Sequence, residues 1–492
     1  MKKKKTLIIL IAVMAVCVCA AIIVSHIDFD EKMTGTVTTI TDLDETGITR
    51  LSWKYTDEVS FSRDSSDSEW TYDADDKMPA DQDLLNTVAA SLAHITSNKR
   101  VDSVASLSVY GLGSPEYTLS VGTDSETVNI SIGNESFSDN EVYISIGDEY
   151  VYMVDSSIID DISYGIYDLV QKEEIPEIEL ESISDVKIEN GESLDIIRRE
   201  NSGLCYSDAY LYYLDDNGTY KNLDNSNAAN LFSSVASLSW SECVAYGADD
   251  DVLEEYGLKE PAAEIAITYT DDDGAECVFS YDVSHVDDSY YARLAGSDII
   301  YTVGSAAYTA AVEDGNYNYL KPSTVILLDS DTIDSVVFTV GSDSCTITLE
   351  RTADEDNEGE TVTKYYIGDT EVDISDILSS ITALKTVTIE AESGGSDEPE
   401  ADASDADSSA EDAEDEADAK PEVPVINGNE TEFKVTFNRN TEKNSTVTMT
   451  IYRDDGLYCI SKLSSGGDPC YINRSNAMTL KEKILSFILE NS

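Results

Sequence analysis

Apolar and polar residues alternate through ITRLSWKYTDEVSFSR (Ile48 to Arg63), and the same spacing returns in ISDVKIENGESLDIIR (Ile183 to Arg198). Both read I-x-x-[LV]-x-[WI], a turn, then h-x-h-x-R, where h is apolar. A third version, IDSVVFTVGSDSCTITLER (Ile333 to Arg351), carries a slightly longer turn. Period-two alternation on both sides of a short polar break predicts two antiparallel strands joined as a hairpin. Behind each hairpin the period changes to that of a helix. DQDLLNTVAASLAHI sets Leu84, Val88, Leu92 and Ile95 on one face, NAANLFSSVASL does so with Leu231, Val235 and Leu238, and DISDILSSITAL with Ile377, Ile381 and Leu384. Asp81 and Asp373 are expected N-caps, their carboxylates accepting from first-turn amides.

Two of the helices hand over to one turn. YGLGSPEYTLSV begins at Tyr110 and YGLKEPAAEIAI at Tyr256, so Tyr-Gly-Leu-x-x-Pro enters an alternating strand in both. Glycine after the aromatic admits a left-handed backbone, and Pro115 or Pro261 keeps helix from resuming. The Tyr and Leu are expected to pack on the neighbouring sheet. Each copy closes on Tyr-x-x-x-Ser, with Tyr152 and Ser156, Tyr301 and Ser305, and Tyr471 and Ser475. A short helix capped by the serine or a neighbour is expected next. Elements recurring in one order mark an internal repeat. The fold class is a β-rich α+β chain of three related hairpin-helix-sheet units at 48–165, 183–315 and 333–490.

The third unit lacks the turn motif and holds an acidic insert at 392–426, with twelve carboxylates and no base between Asp397 and Asp418. Like-charge repulsion favours a solvated, disordered segment at a permissive loop over a cation-binding or partner-binding tail. The 492-residue chain sets 98 acids against 31 bases, a net charge of −67, which disfavours nucleic acid as a partner. Four of those bases, Lys2 to Lys5, form a basic tail (1–5) ahead of an apolar run at 6–25, long enough to span a bilayer. Residues 26–47 are the linker. The lysines keep the N-terminus cytoplasmic and send the rest outside. A cleaved signal peptide has a shorter apolar core, and Cys17 and Cys19 lack the small residue that precedes a lipidated cysteine. An uncleaved single-pass anchor in the cell membrane is therefore expected. Among the cysteines beyond it no C-x-x-C pair occurs. Cys459 and Cys470 flank a turn and could meet across a hairpin, although free buried thiols suit domains of this size.

Candidate chemistry is sparse. The three histidines are His26, His94 and His285, and the H-E-x-x-H, G-x-S-x-G and phosphate-loop signatures do not occur. His94 falls on the polar side of the first helix, where a solvated or locally paired ring is expected. The acidic clusters Asp73 to Asp76, Asp215 to Gly218 and Asp271 to Asp273 offer oxygen ligands without EF-hand spacing, and β-turns are their expected use. Arg63, Arg198 and Arg351 recur at corresponding positions and are expected to pair with local carboxylates, a shared ligand contact being the alternative. No catalytic, cofactor-binding or metal-ligating residue is assigned, and no cofactor is expected. Glycosidase-type acid pairs stay open, because separation in space is not legible here.

The anchor, the YGL-x-x-P turn entering a strand, the h-x-I-G turn from Ile130 to Gly133 and h-Y-x-h before a closing helix together resemble the bacterial domain of unknown function 4340. The resemblance is best across 48–315. It implies an envelope-exposed accessory protein of the kind often encoded beside gliding-motility-type ABC transporter components, and it carries over no catalytic residues. The expected function is a non-enzymatic, membrane-anchored extracytoplasmic scaffold, with ABC transporter subunits or other envelope proteins as partners. The alternatives are an extracytoplasmic carboxylate-dependent glycan or peptidoglycan hydrolase and a calcium-dependent adhesin.

Overall fold

The computed structural model describes residues 33–34, 37–102, 104, 106–136, 140–353, 361–388, 421 and 423–492. The expected basic tail and anchor, and the acidic insert up to residue 420, lie outside the described residues. Among the described residues no helix is long and apolar enough to cross a membrane. Two compact units form. One holds the described chain up to Ile175 with Trp240–Glu255 and Gly296–Val303, and the other holds Pro176–Ser239, Tyr256–Ala295 and Gly304–Ser492.

The first unit begins with β1 (Met33–Thr34) and β2 (Thr38–Thr39), followed by the hairpin β3 (Ile48–Lys54) and β4 (Glu58–Ser62). β5 (Thr71–Tyr72), the helix Gln82–Ala93, β6 (Thr96–Ser97) and β7 (Lys99–Val101) come next. β8 (Tyr117–Thr123), β9 (Thr127–Glu135), β10 (Glu141–Ser145) and β11 (Val151–Asp155) complete it. The sheet order is β5-β4-β3-β8-β9-β10-β11-β7-β1, with β2 and β6 paired apart.

The second copy supplies β12 (Ile183–Glu189), β13 (Ser193–Arg198), β14 (Tyr212–Asp216), β15 (Thr219–Asn222) and the helix Asn225–Ala236. β16 (Trp240–Ala245), β17 (Ala263–Thr270), β18 (Glu276–Val286), β19 (Ser289–Leu294) and β20 (Ile300–Val303) follow. In the second unit the order is β15-β14-β13-β12-β17-β18-β19. β16 and β20 pair with each other and belong to the first unit. There Trp240 stacks on Tyr301 at 4.2 Å and donates its indole N–H to the Glu173 carbonyl, while the Glu173 amide donates to the Tyr301 hydroxyl.

The third copy contains β21 (Ile333–Val340), β22 (Asp343–Ala353), β23 (Thr361–Ile367), β24 (Thr370–Val372) and the helix Ser375–Thr382. β25 (Thr386–Val387), β26 (Thr431–Arg439), β27 (Thr446–Arg453), β28 (Tyr458–Leu463), β29 (Cys470–Asn473) and the helix Arg474–Glu490 end the chain. Its order, β24-β23-β22-β21-β26-β27-β28-β29-β25, is that of the first sheet with one strand more on the hairpin side and, among the described residues, none beyond β25. In each copy the first hairpin strand also pairs, on its other edge, with a long strand from beyond the helix and the shorter strands after it: β3 with β8, β12 with β17 and β21 with β26. Each of these pairings shifts register at one place, between Ile48 and Arg50, Ile183 and Asp185, and Ile333 and Ser335. A recurring irregularity of this kind bends the strand locally and raises its twist.

Several expectations need correction. The third hairpin has the tightest turn, since Val340 pairs with Asp343 and leaves only Gly341 and Ser342 between, so the added residues lengthen β22. Of the expected first-helix face Val88 and Leu92 are buried, Leu84 packs at the core edge and Ile95 is buried just past the helix end, while Leu85, Ala89 and Ala93 widen the buried stripe. Asp81 caps it, accepting from the Leu84 amide. Asp373 stands one residue before the cap position, yet its carboxylate takes the Ser375 amide at 2.9 Å. Of the serine or a neighbour expected to cap after Tyr-x-x-x-Ser, it is the neighbour that does so in the first and third copies. Asp155 and Asn473 accept the amides, and the third helix runs to 17 residues. The tyrosines of that signature, Tyr152, Tyr301 and Tyr471, are core residues.

The YGL turn works as expected. Gly111 and Gly257 adopt φ of 77° and 68°, a region that disfavours side chains. Tyr110 and Leu112 are buried with Val101 and Val151, and Leu258 is buried in the second copy. Beneath the first turn lies Gly133 of β9, where an added Cβ would stand 2.1 Å from the Tyr110 carbonyl oxygen. In the second copy Ser284 of β18 donates its hydroxyl to the Tyr256 carbonyl at 2.6 Å. One copy thus presses backbone on backbone, and the other inserts a hydroxyl. Gly133→Ala should lower the stability of the first unit by about 3 kcal/mol through overpacking, whereas Ser284→Ala should cost about 1 kcal/mol for its one hydrogen bond. Urea unfolding followed by tryptophan fluorescence and circular dichroism measures both, and equal losses would contradict this account of Gly133.

Candidate functional site

Within the second unit a cavity of about 340 Å³ opens between elements of the second and third copies. One wall is the loop after β13, where Tyr206 and Tyr210 meet edge-on at 5.9 Å. The Tyr206 hydroxyl accepts the Leu327 amide, and the Tyr213 hydroxyl donates to the Tyr210 carbonyl. Arg439, buried at the end of β26, donates to the Tyr206 carbonyl and to the Thr332 hydroxyl, which ties this loop to the third sheet. A second wall is the segment around Pro322 to Val325. Asp224 accepts the Ser323 amide and hydroxyl, while the Thr386 hydroxyl donates to the Pro322 carbonyl. The third wall is the β28–β29 hairpin, whose turn contains Gly466 and Gly467 at φ of 110° and 85°.

The cavity combines apolar and polar groups. Val325, Val387 and Leu463 supply aliphatic surface, and the tyrosines supply rings. Half-buried Lys221 lies 5.2 Å over the Tyr317 ring, and half-buried Lys321 donates to Asn318. Exposed Asp468 stands on the turn. Ser461, only 1% exposed, has a hydroxyl with no hydrogen-bond partner. Burial pushes the Cys470 thiol up to about 12, against the pull of Lys321, and it raises the phenols of Tyr206 and Tyr210. At neutral pH the cavity therefore presents protonated hydroxyls and a thiol beside two ammonium groups. Such a set can recognise a ligand but supplies no thiolate nucleophile.

The residues singled out from sequence lie elsewhere. Arg63 donates to the Ile48 carbonyl and caps the Trp70 ring at 4.3 Å, and Arg351 donates to the Ile333 and Ser330 carbonyls. Among the described residues only Arg198 of the three finds a carboxylate, Glu200, and it also binds the Glu181 carbonyl. The expected carboxylate pairing is thus corrected for Arg63 and Arg351. A planar guanidinium satisfies strand-start carbonyls that the register shift leaves open. His94 is exposed, with Nδ1 3.2 Å from Asp42, and His285 stacks on Tyr290. Asp271 accepts the amides of Asp273 and Ala275, Asp215 that of Gly218, and Asp75 that of Lys77, so the acidic clusters serve their own turns. Cys459 faces Ile472 and Cys470 faces Ser461 across their hairpin, and both thiols are free.

A family model described as a domain of unknown function, DUF4340, matches residues 70–261 and again 214–408, together more than two thirds of the chain. The chain belongs to the DUF4340 family. The two matches share 214–261, from within β14 to the proline of YGLKEP. Tandem DUF4340 units out of phase with the hairpin-first division produce such an overlap. No curated protein and no solved structure matches the chain significantly.

Two carboxylate arrangements distinguish the second and third copies. On the second sheet Asp185 is pushed up to about 7 by burial and by a hydrogen bond to negatively charged Asp195, against Lys187 and Arg199. One proton shared between the two carboxyls accounts for the otherwise unpartnered Asp185 Oδ1 and Asp195 Oδ1. By register the first copy has Arg50 and Ser60 at these places, and the third has Ser335 and Thr346. On the third sheet Glu432 is 4% exposed and held by Lys481 at 2.5 Å and Arg453 at 2.9 Å. Burial alone would raise it, but these cations hold it below the usual range.

The folded state binds the Asp185 proton more tightly than the unfolded chain, so that contribution is present at low pH and is lost as pH rises from about 4 to 7. Asp185→Asn should stabilise the protein at pH 8 by about 1 kcal/mol, after allowance for solvent screening, and give no gain at pH 4. Thermal melts at both pH values decide this, and an equal effect at both would contradict the shared proton. Glu432→Ala, which leaves its cations unpaired, should cost about 3 kcal/mol at pH 7. Its lowered pKa makes that loss shrink as pH falls below about 4, which denaturant melts across pH will read.

Proposed function

We propose that this chain is a non-enzymatic, membrane-anchored extracytoplasmic scaffold, accessory to a cell-surface assembly of the ABC transporter class that the family resemblance implies. The observation that carries the reading is the use made of the recurrent residues. Gly111 and Gly257 shape turns, Tyr152, Tyr301 and Tyr471 fill cores, and Arg63 and Arg351 bind strand-start carbonyls. What recurs from copy to copy thus builds sheets, and repeated sheets present extended surface for partners. The N-terminal pattern of four lysines and a long apolar run supports anchoring with the N-terminus inside.

A carboxylate-dependent hydrolase is the second reading, favoured by the Asp185 and Asp195 pair that one copy alone carries. The scaffold is preferred because neither acid lines the cavity. Crosslinking of the full-length protein in its native membrane, followed by mass spectrometry, should recover integral transporter subunits at the same peptides in repeat experiments. Recovery of no membrane partner, or solubilisation of peptidoglycan that Asp185→Asn abolishes, would overturn the scaffold.

A further inference from the structure

The geometry points to the cavity of the second unit as a binding site for a small amphipathic monoanion, an aromatic or aliphatic body carrying one carboxylate and a polar atom on that body. Three independent features define this class. The volume, about 340 Å³, lies at the lower end of the range that holds small organic ligands. Its lining pairs tyrosine rings and aliphatic side chains with few polar groups, the composition of such sites. The buried Ser461 hydroxyl has no partner, although buried polar groups are nearly always satisfied, and a ligand oxygen would complete it.

Charge sets the sign and the number. Bases are scarce in this chain, 31 against 98 acids, yet Lys221 and Lys321 both line this one cavity. Two ammonium groups beside low-dielectric walls favour one carboxylate through charge-assisted hydrogen bonds. Exposed Asp468 and the surrounding net charge of −67 oppose a second anionic group, which disfavours nucleotides and other polyanions. The loop that brings the wall together, Gly466 and Gly467 at positive φ, has no counterpart among the motifs that the copies share. Neither the anchor nor the scaffold reading is needed for this inference, so either can fail alone.

The test uses the full-length protein in lipid nanodiscs, with empty nanodiscs as blank, and titration calorimetry of three probes: 3-(4-hydroxyphenyl)propanoate, 3-phenylpropanoate and 3-(4-hydroxyphenyl)propan-1-ol. Saturable binding of the first is expected, about tenfold tighter than the neutral alcohol and several-fold tighter than the probe without the phenol. Lys221→Gln with Lys321→Gln should bring the acid down to the alcohol's affinity. Ser461→Ala should erase the advantage of the phenol and leave the other two probes unchanged, a result that a merely structural role for the serine would not produce. Val387→Trp, which fills the cavity, should abolish all binding. If that variant melts early, the lysine and serine variants still decide. Equal affinity for acid and alcohol, or no saturable heat from any of the three, would overturn the proposal.

Discussion

Each sheet depends on a single long-range pairing. The first hairpin strand must find, across its free edge, a long strand from beyond the helix: β3 with β8, β12 with β17, β21 with β26. The hairpins form locally, but this pairing closes a loop that contains the rest of the first half of each copy, and loop-closure entropy opposes it. The same constraint explains why the acidic insert is tolerated. It falls between β25 and β26, inside the connection that the pairing already closes, and lengthening a closed loop by less than twofold costs less than about 0.6 kcal/mol. An insertion within the pairing itself would break the register that every outer strand inherits.

The copies secure that central pair differently. In the first, the YGL turn presses its Tyr110 carbonyl against Gly133, and in the second Ser284 bonds the Tyr256 carbonyl, so the chain enters β8 and β17 at a fixed height. The third copy lacks the YGL-x-x-P sequence. There, buried Glu432 near the start of β26 is gripped by Lys481 of the final helix and Arg453 of β27. A buried ion cluster is a costly fastener, because desolvation offsets much of the attraction. It nevertheless fixes position at the start of a strand that the YGL-x-x-P sequence does not precede, and it gives the 17-residue helix, much longer than its counterparts, a reason to be there.

What the sequence shows and what it hides follow from range. Period-two runs begin at Ile48, Ile183 and Ile333, where strands indeed start, since alternation is a local signature. The outermost strands on the hairpin side, Thr219–Asn222 and Thr370–Val372, are too short to carry a period, and one of them holds Lys221 of the cavity. Arg63 and Arg351 were visible as a recurrence but not in their role, because a carbonyl acceptor leaves no mark in the sequence while carboxylates are everywhere in it. The register shift beside Ile48, Ile183 and Ile333 is equally silent: it is a property of two strands, and neither alone records it.

The cavity was invisible for a further reason. Its walls come from the Tyr206 loop, the chain around Pro322 and the β28–β29 hairpin, and of the motifs that the copies share they include Tyr471 of the closing signature alone. Looking for repeats selects what copies have in common, which here is the machinery of the sheets. Recognition of one particular ligand needs asymmetry, because three equivalent sites would require the same side chains three times, and Lys221, Ser461 and Lys321 each occur once in this setting. In a tandem protein of this kind the informative positions are therefore those at which one copy departs from the others without loss of its sheet. The Gly466 and Gly467 turn is such a departure, and the buried hydroxyl of Ser461 marks where it leads.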